Sequence, residues 1–216
     1  MRETRGTLAR LAFRLKSGPL PPLVLMTDDE RLPDPSAAAR ALPRGSLIVL
    51  RARTKKRRAE LAAALAGIAR ARGLFLLIAD DPELARAADG VHFPEAQAGK
   101  LAYWRARQPR WFLTASAHSL QAVQRAASFG ADAVFLSPVF ATKSHLDRAA
   151  LTPIRFRLIA QLSRVPIYAL GGIDARNALH LAGARLAGIA AIGALAVTRE
   201  SADAESPHSD RRSAER

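Results

Sequence analysis

Short apolar runs recur along this 216-residue chain, separated by polar, alanine-rich segments. The runs are LVLMT (23–27), SLIVLR (46–51), LFLLIA (74–79), DGVHF (89–93), WFLTA (111–115), DAVFLS (132–137), PIYAL (166–170) and GIAAIG (188–193). Near-continuous apolar strands of this length are buried on both faces, as in a parallel sheet. Between them, KKRRAELAAALAGIARARG (55–73), SLQAVQRAASFG (119–130), IRFRLIAQLS (154–163) and ARNALHLAG (175–183) carry helical spacing. Three of these segments close on a glycine where a helix ends in a left-handed residue. The connections near 36–42 and 82–87 are short for full helices.

Alternating strands and helices in this number predict a compact α/β fold, a single (β/α)8 TIM barrel. A doubly wound open sheet is the alternative. Small residues cluster after the seventh and eighth runs, where such barrels bind phosphate, and this favours the barrel. The first segment, MRETRGTLARLAFRLKSG, is basic and places Leu8, Leu11, Ala12 and Leu15 on one helical face. The expected organisation is an N-terminal basic amphipathic helix over 1–20 covering one end of the domain, the barrel over 21–199, and a disordered polar tail over 200–216.

Composition narrows the function classes. Apolar residues make up 49% and charged residues 24%, a globular balance. There is no cysteine, which excludes a disulfide framework, a thiolate metal site and a cysteine nucleophile. That suits a reducing compartment, and a cytoplasmic location is expected. Lys and Arg number 33 against 19 Asp and Glu, a formal charge of +14. A surplus of this size raises anionic ligands or nucleic acid as partners. No aromatic residues interleave with the basic clusters, so a small phosphorylated ligand is expected rather than nucleic acid. No run approaches the length of a membrane span, and a homo-oligomer is compatible with the chain.

In a barrel the chemistry lies at the C-terminal ends of the strands. The residues just past each run are Thr27–Asp29, Arg51 and Arg53, Asp80–Asp81, His92, Ser116 and His118, Ser137, the Gly171–Gly172 pair, and Gly193–Ala194. Glycines at a strand end let backbone N–H groups approach an anion, and a following helix adds its positive end. Gly171, Gly172, Gly193 and Ala194 are therefore the expected phosphate grip. Arg51 is expected either to meet ligand or to form a salt bridge across the mouth, with most of Lys55–Arg58 on a solvated helix face. His118, at a strand end, can act as acid or base near neutrality, or can simply be a packing residue or cap. Ser116 and Ser119 are natural helix caps.

The segments GADAVFLSPVFATKSH (130–145), SAHSLQAV (116–123), VPIYALGGID (165–174) and AGARLAGIAAIGAL (182–195) together resemble the thiamine phosphate synthase / TenI family. LLIADDPELARAADGVHFPE (76–95) and IVLRAR (48–53) take the places of two further family segments. The resemblance covers about residues 20–196. It implies a barrel that handles thiazole phosphate, either joining it to a pyrimidine diphosphate with Mg²⁺ holding the diphosphate, or tautomerising it.

Carried over by residue, the family's arginine is Arg51 and its next lysine is Arg53. Its Asn–Asp pair is Ala79–Asp80, and its second metal-ligand aspartate is Gln97. The serine on the diphosphate is Ser116, and the glycine grip is Gly171–Gly172. The lysine after the sixth strand falls on His145. Arg51, Arg53, Asp80, His92, Ser116, Ser137, Thr142 and His145 are then the implied substrate contacts. The Mg²⁺ side is eroded, so the first expectation is a thiazole phosphate tautomerase with His118 as its base and no cofactor. A diverged synthase, which would need Mg²⁺ on a site rebuilt from Asp80 and Asp28, Asp29 or Glu95, is the first alternative. A non-catalytic phosphate-binding or regulatory barrel is the second.

Overall fold

The computed structural model describes residues 2–141 and 149–196. The expected tail over 200–216 lies outside them. Eight parallel strands close into a barrel in sequence order. They are β1 (Leu23–Met26), β2 (Leu47–Leu50), β3 (Phe75–Ala79), β4 (Gly90–Phe93), β5 (Phe112–Ala117), β6 (Ala133–Leu136), β7 (Ile167–Leu170) and β8 (Leu186–Ala191). Each overlaps one of the eight apolar runs, β8 lying two residues earlier than the run 188–193. The doubly wound alternative is thereby replaced by the closed (β/α)8 form, because β8 pairs with β1 through Leu23–Ile189, Val24–Ala190 and Leu25–Ala191.

Two apolar layers explain the continuous runs. One face of the strands packs Val24, Met26, Val49, Phe135, Tyr168 and Ala190 into the barrel interior. The other face, with Leu25, Ile48, Leu50 and Val91 among its members, packs against the helices.

The helices are α1 (Arg2–Leu15), α2 (Ser36–Arg40), α3 (Lys55–Arg72), α4 (Lys100–Arg107), α5 (Leu120–Ser128) and α6 (Thr152–Leu162). Thr54 opens α3 by accepting the Arg57 N–H, and Gly73 ends it at φ 63°. Ser119 opens α5 by accepting the Ala122 N–H. Helix α4 was not legible in the apolar pattern, since Leu101 is its one fully buried residue.

Two expectations need correction. The segment 175–183 forms only a 3-10 turn, Ala178–Leu181. Its start is taken by a local network in which Asp174 accepts the Arg176 and Asn177 N–H groups and the Asn177 side chain accepts the Asp174 N–H. This side chain–backbone bonding competes with helix. The N-terminal helix, in turn, covers a flank rather than an end. Helix α1 packs on β8, β1 and the 3-10 turns Ala178–Leu181 and Gly193–Leu195, with Leu8, Leu11 and Ala12 buried. It fills the outer layer where, among the described residues, the segments after β7 and β8 supply only short turns. Among the described residues no helix is long and apolar enough to cross a membrane.

The seam is tight. A Cβ built on Gly188 would lie 2.3 Å from the Pro22 carbonyl oxygen, beside the Ile189 N–H to Pro22 hydrogen bond of 2.9 Å. Gly188→Ala should therefore cost about 1–3 kcal/mol through overpacking. Gly67→Ala, exposed in α3 with nothing within 4 Å, should instead stabilise by about 0.5–1 kcal/mol. Urea unfolding of the two variants measures both signs.

Candidate active site

Because all eight strands run parallel, their C-terminal ends deliver polar side chains to one mouth. Thr27 is buried and locks the first two strands there. Its hydroxyl donates to the Arg51 carbonyl and accepts the Arg51 N–H, each at 2.8 Å. The Arg51 guanidinium then reaches the Met26 sulfur at 3.3 Å and Asp28 Oδ2 at 3.2 Å. The salt bridge across the mouth thus forms. Burial lowers the Arg51 pKa against the opposing pull of Asp28.

Arg53 is not part of this cluster. Its N–H donates to Asp29 at 2.7 Å, and its exposed guanidinium pairs outward with Glu30. The basic run after it also divides. Lys55 and Lys56 are solvated, but Arg57 donates to the Pro33 carbonyl and the half-buried Arg58 pairs with Asp81 at 3.3 Å.

Asp80 ends β3 at φ 53°, a left-handed conformation rare outside glycine, with its N–H donated to the His92 carbonyl at 2.9 Å. Gln97 Nε2 donates to Asp80 Oδ2 at 2.8 Å. The Lys100 ammonium donates to Gln97 Oε1 and stands 3.7 Å from Asp80 Oδ1. Lys100 was missed by sequence reasoning. Its signal is a cation three residues beyond the position where the family's carboxylate is replaced by Gln97.

The two histidines on neighbouring strand ends differ in kind. His92 is 3% exposed and lies inside the barrel, not at the mouth. Both ring nitrogens are engaged, Nδ1 with Thr114 Oγ1 at 3.0 Å and Nε2 with Ser116 Oγ at 2.9 Å. Its ring meets Phe135 edge-on at 5.1 Å, and Phe135 stacks on Tyr168 at 4.7 Å. Burial, helped by the charge of Arg51, pushes the His92 pKa down to about 3. Ser116 is held in β5 by His92 and caps no helix; Ser119 alone takes that role.

His118 stands just beyond β5. Its N–H donates to Glu95 Oε2 at 2.9 Å, and Nδ1 lies 2.7 Å from the Ser137 carbonyl oxygen. A carbonyl only accepts, so Nδ1 carries the hydrogen and the neutral ring keeps its lone pair on Nε2. Glu95 is tied in turn to Arg125 at 3.3 Å. The expected substrate contacts Thr142 and His145 lie outside the described residues.

Gly171 and Gly172 turn the chain at φ 98° and 66°. A Cβ on Gly171 would lie 2.8 Å from Pro138 Cα, and one on Gly172 2.6 Å from the Ala141 carbonyl oxygen. What approaches these glycines is the segment after β6, held by Val139 N–H to Leu170 O at 3.0 Å and Phe140 N–H to Gly171 O at 3.1 Å. The helix expected to point its positive end here is absent, as described above. Gly193 and Ala194 open the 3-10 turn Gly193–Leu195 directly after β8.

The family resemblance implies Mg²⁺ at this end, and the residues present do not fit it. Asp80 has one oxygen bonded by an amide donor and the other beside an ammonium. Asp28 is paired with Arg51, Asp29 accepts the Arg53 N–H, and Glu95 holds His118 and Arg125. Among the described residues no three His, Asp or Glu side chains converge as a metal site. Concavities of about 310 and 490 Å³ open at the opposite end of the barrel. The convergent polar side chains are at the mouth, which makes it the candidate site.

Fold and side-chain ring together define a (β/α)8 barrel with a polar ring at its C-terminal face. The sequence profile of the thiamine monophosphate synthase family matches residues 23–195, and the chain belongs to that family. The thiamine-phosphate synthase of Chlorobium luteolum is 33% identical over 203 residues, 91% of this chain and 93% of that protein. The thiamine-phosphate synthase of Bacillus velezensis is 35% identical over 134 residues, 59% of this chain and 58% of its own length. The chain spans about half the length of the first curated relatives it matches, 50% and 58%. A thiamine phosphate pyrophosphorylase structure from Pyrococcus furiosus superposes with a TM-score of 0.67 at 24% identity, covering 84% of this chain and 87% of that one. At that identity it shares the fold.

The buried His92 makes stability depend on pH. With a folded value near 3 and an unfolded value near 6.5, the unfolded state binds more protons between those limits. The contribution of neutral His92 is therefore complete above pH 6.5 and is lost as pH falls toward 3. At pH 5 the loss should be about 2 kcal/mol relative to pH 7. His92→Gln should lack this component, as read from urea unfolding at the two pH values.

Proposed function

We propose that this protein works in thiamine biosynthesis as a thiamine-phosphate synthase, joining a thiazole phosphate to a pyrimidine diphosphate at the barrel mouth. The observation that carries this reading is the match to a thiamine-phosphate synthase along 93% of that relative's length. The mouth supports it through cations set on a polar ring. Loss of a diphosphate leaving group builds negative charge, and Arg51 and Lys100 stand at the β2 and β3–β4 sides to offset it. The hydroxyls of Ser116 and Ser137 and the N–H groups at Gly171, Gly172, Gly193 and Ala194 are the groups offered to phosphate oxygens.

A specific observation favours a second reading, tautomerisation of the thiazole phosphate. His118 has its Nδ1–H directed to the Ser137 carbonyl, leaving Nε2 as a base. His118 would take a proton from one ring position and return it to another, with Glu95 fixing the backbone and the Ser137 carbonyl fixing the tautomer.

One experiment separates the readings. Purified protein is given both phosphorylated halves, and separately the thiazole phosphate alone in D₂O. The synthase reading expects thiamine phosphate in the first mixture. The tautomerase reading expects deuterium in the thiazole by NMR, with the rate falling about 10²–10⁴-fold in His118→Asn. Calorimetric binding of the thiazole phosphate with neither product nor exchange would overturn both in favour of a binding barrel.

A further inference from the structure

Asp80, Gln97 and Lys100 form a closed group whose charge is balanced without a metal. A divalent cation between two carboxylates gives a net charge of zero. Here one carboxylate, one amide and one ammonium give the same sum. The hydrogen bonds also fix the amide. Because Gln97 Oε1 accepts from Lys100, its Nε2–H groups face Asp80 Oδ2 at 2.8 Å. A cation at Asp80 would meet amide hydrogens instead of a lone pair, with an ammonium 3.7 Å away on the other oxygen. Hard divalent ions require oxygen donors and tolerate neither neighbour.

The cationic end is anchored as well. Lys100 begins α4, so its stem starts from a fixed backbone, and its side chain remains about half exposed at 53%. An ammonium has three donors. Gln97 takes one, Asp80 at 3.7 Å is an ion-pair neighbour beyond hydrogen-bond range, and the remaining donors can meet a ligand at the rim.

We infer that the Lys100 ammonium is the resident cation of the β3–β4 rim, binding phosphate or diphosphate oxygens where the family's Mg²⁺ would be expected. This rests on the reading that the mouth takes a phosphorylated ligand. The deduction for the chain is that such binding is independent of divalent ions. Gln97 and Lys100 act as one unit, since the neutral amide and the ammonium together balance the charge of Asp80.

The test uses Mn²⁺ and pyrophosphate as probes. Free Mn²⁺ is followed by its EPR signal, and pyrophosphate binding by calorimetry in EDTA and in Mg²⁺. The native protein should leave the Mn²⁺ signal undiminished and bind pyrophosphate equally in both buffers. Lys100→Ala should weaken pyrophosphate binding by at least ~10-fold, the effect of losing one charged hydrogen bond, while Lys100→Arg should retain most of it. The double variant Gln97→Asp/Lys100→Ala, with two carboxylates and no ammonium, should bind one Mn²⁺ per chain and recover pyrophosphate affinity only with Mg²⁺. Thermal melting verifies that each variant is folded.

Stoichiometric Mn²⁺ uptake by the native protein would overturn the inference. So would pyrophosphate binding that collapses in EDTA, or native affinity in Lys100→Ala. Pyrophosphate bound by none of the proteins would overturn the phosphorylated-ligand reading and the anion role of Lys100. The Mn²⁺ contrast between native protein and double variant would still decide whether Lys100 has displaced the ion.

Discussion

The pairing of β8 with β1 is the constraint on which the rest of the molecule depends. Parallel strands joined edge to edge expose two unsatisfied rims unless the sheet closes. Closure here requires β8 to pass close to the chain entering β1, and Gly188 beneath the Pro22 carbonyl makes that approach possible. Once the seam is closed, all eight strands end on one face, and residues far apart in sequence become neighbours. Thr27 and Arg51, Asp80 and Gln97, and Glu95 and His118 are brought together in this way. The same seam explains α1, which covers β8 and β1 where the described residues provide only short 3-10 turns.

Charge at the mouth follows a second rule. Carboxylates close to an apolar barrel are costly unless compensated, and here Asp28, Asp80, Asp81 and Glu95 each have a cation, respectively Arg51, Lys100, Arg58 and Arg125. The large positive surplus of the chain is therefore not simply a solvated coat. Part of it neutralises the rim pairwise, and this pairing occupies the carboxylates that a divalent ion would otherwise use.

Depth within the barrel separates the two histidines. His92 and His118 lie on adjacent strand ends, one a member of β4 and the other one residue past β5. A few ångströms of depth put the first among Phe135, Thr114 and Ser116, where both nitrogens are consumed and the charged form is suppressed. The second reaches the rim, where one nitrogen is oriented by a carbonyl and the other is left to act. Chemistry at the mouth is thus assigned by how far along a strand each side chain stands.

The apolar runs determined the eight strands and their parallel arrangement, because burial on both faces is the mark of a parallel sheet, and the small residues after the seventh and eighth runs favoured the barrel over an open sheet, a choice that the β8–β1 pairing decided. The apolar pattern also placed the face of α1 that carries Leu8, Leu11 and Ala12, since helical periodicity is a local property. Motif order was enough for the family. The position of the polar residues after each run showed at which end they gather, but not which side chains meet. His92 and Arg53 were grouped with the rim by sequence adjacency, and the tertiary structure buries the first and turns the second outward. The glycine pair was legible as a place of close approach, yet only the fold revealed that the approaching atoms are the backbone of residues 138–141. The one signal of Lys100, a cation three residues beyond Gln97, has no meaning until the fold brings Asp80, twenty residues earlier at the end of β3, beside the start of α4. Periodicity is written within one element and survives without neighbours, whereas hydrogen-bond partners, burial and charge pairing exist only between elements, and so only the closed barrel could decide them.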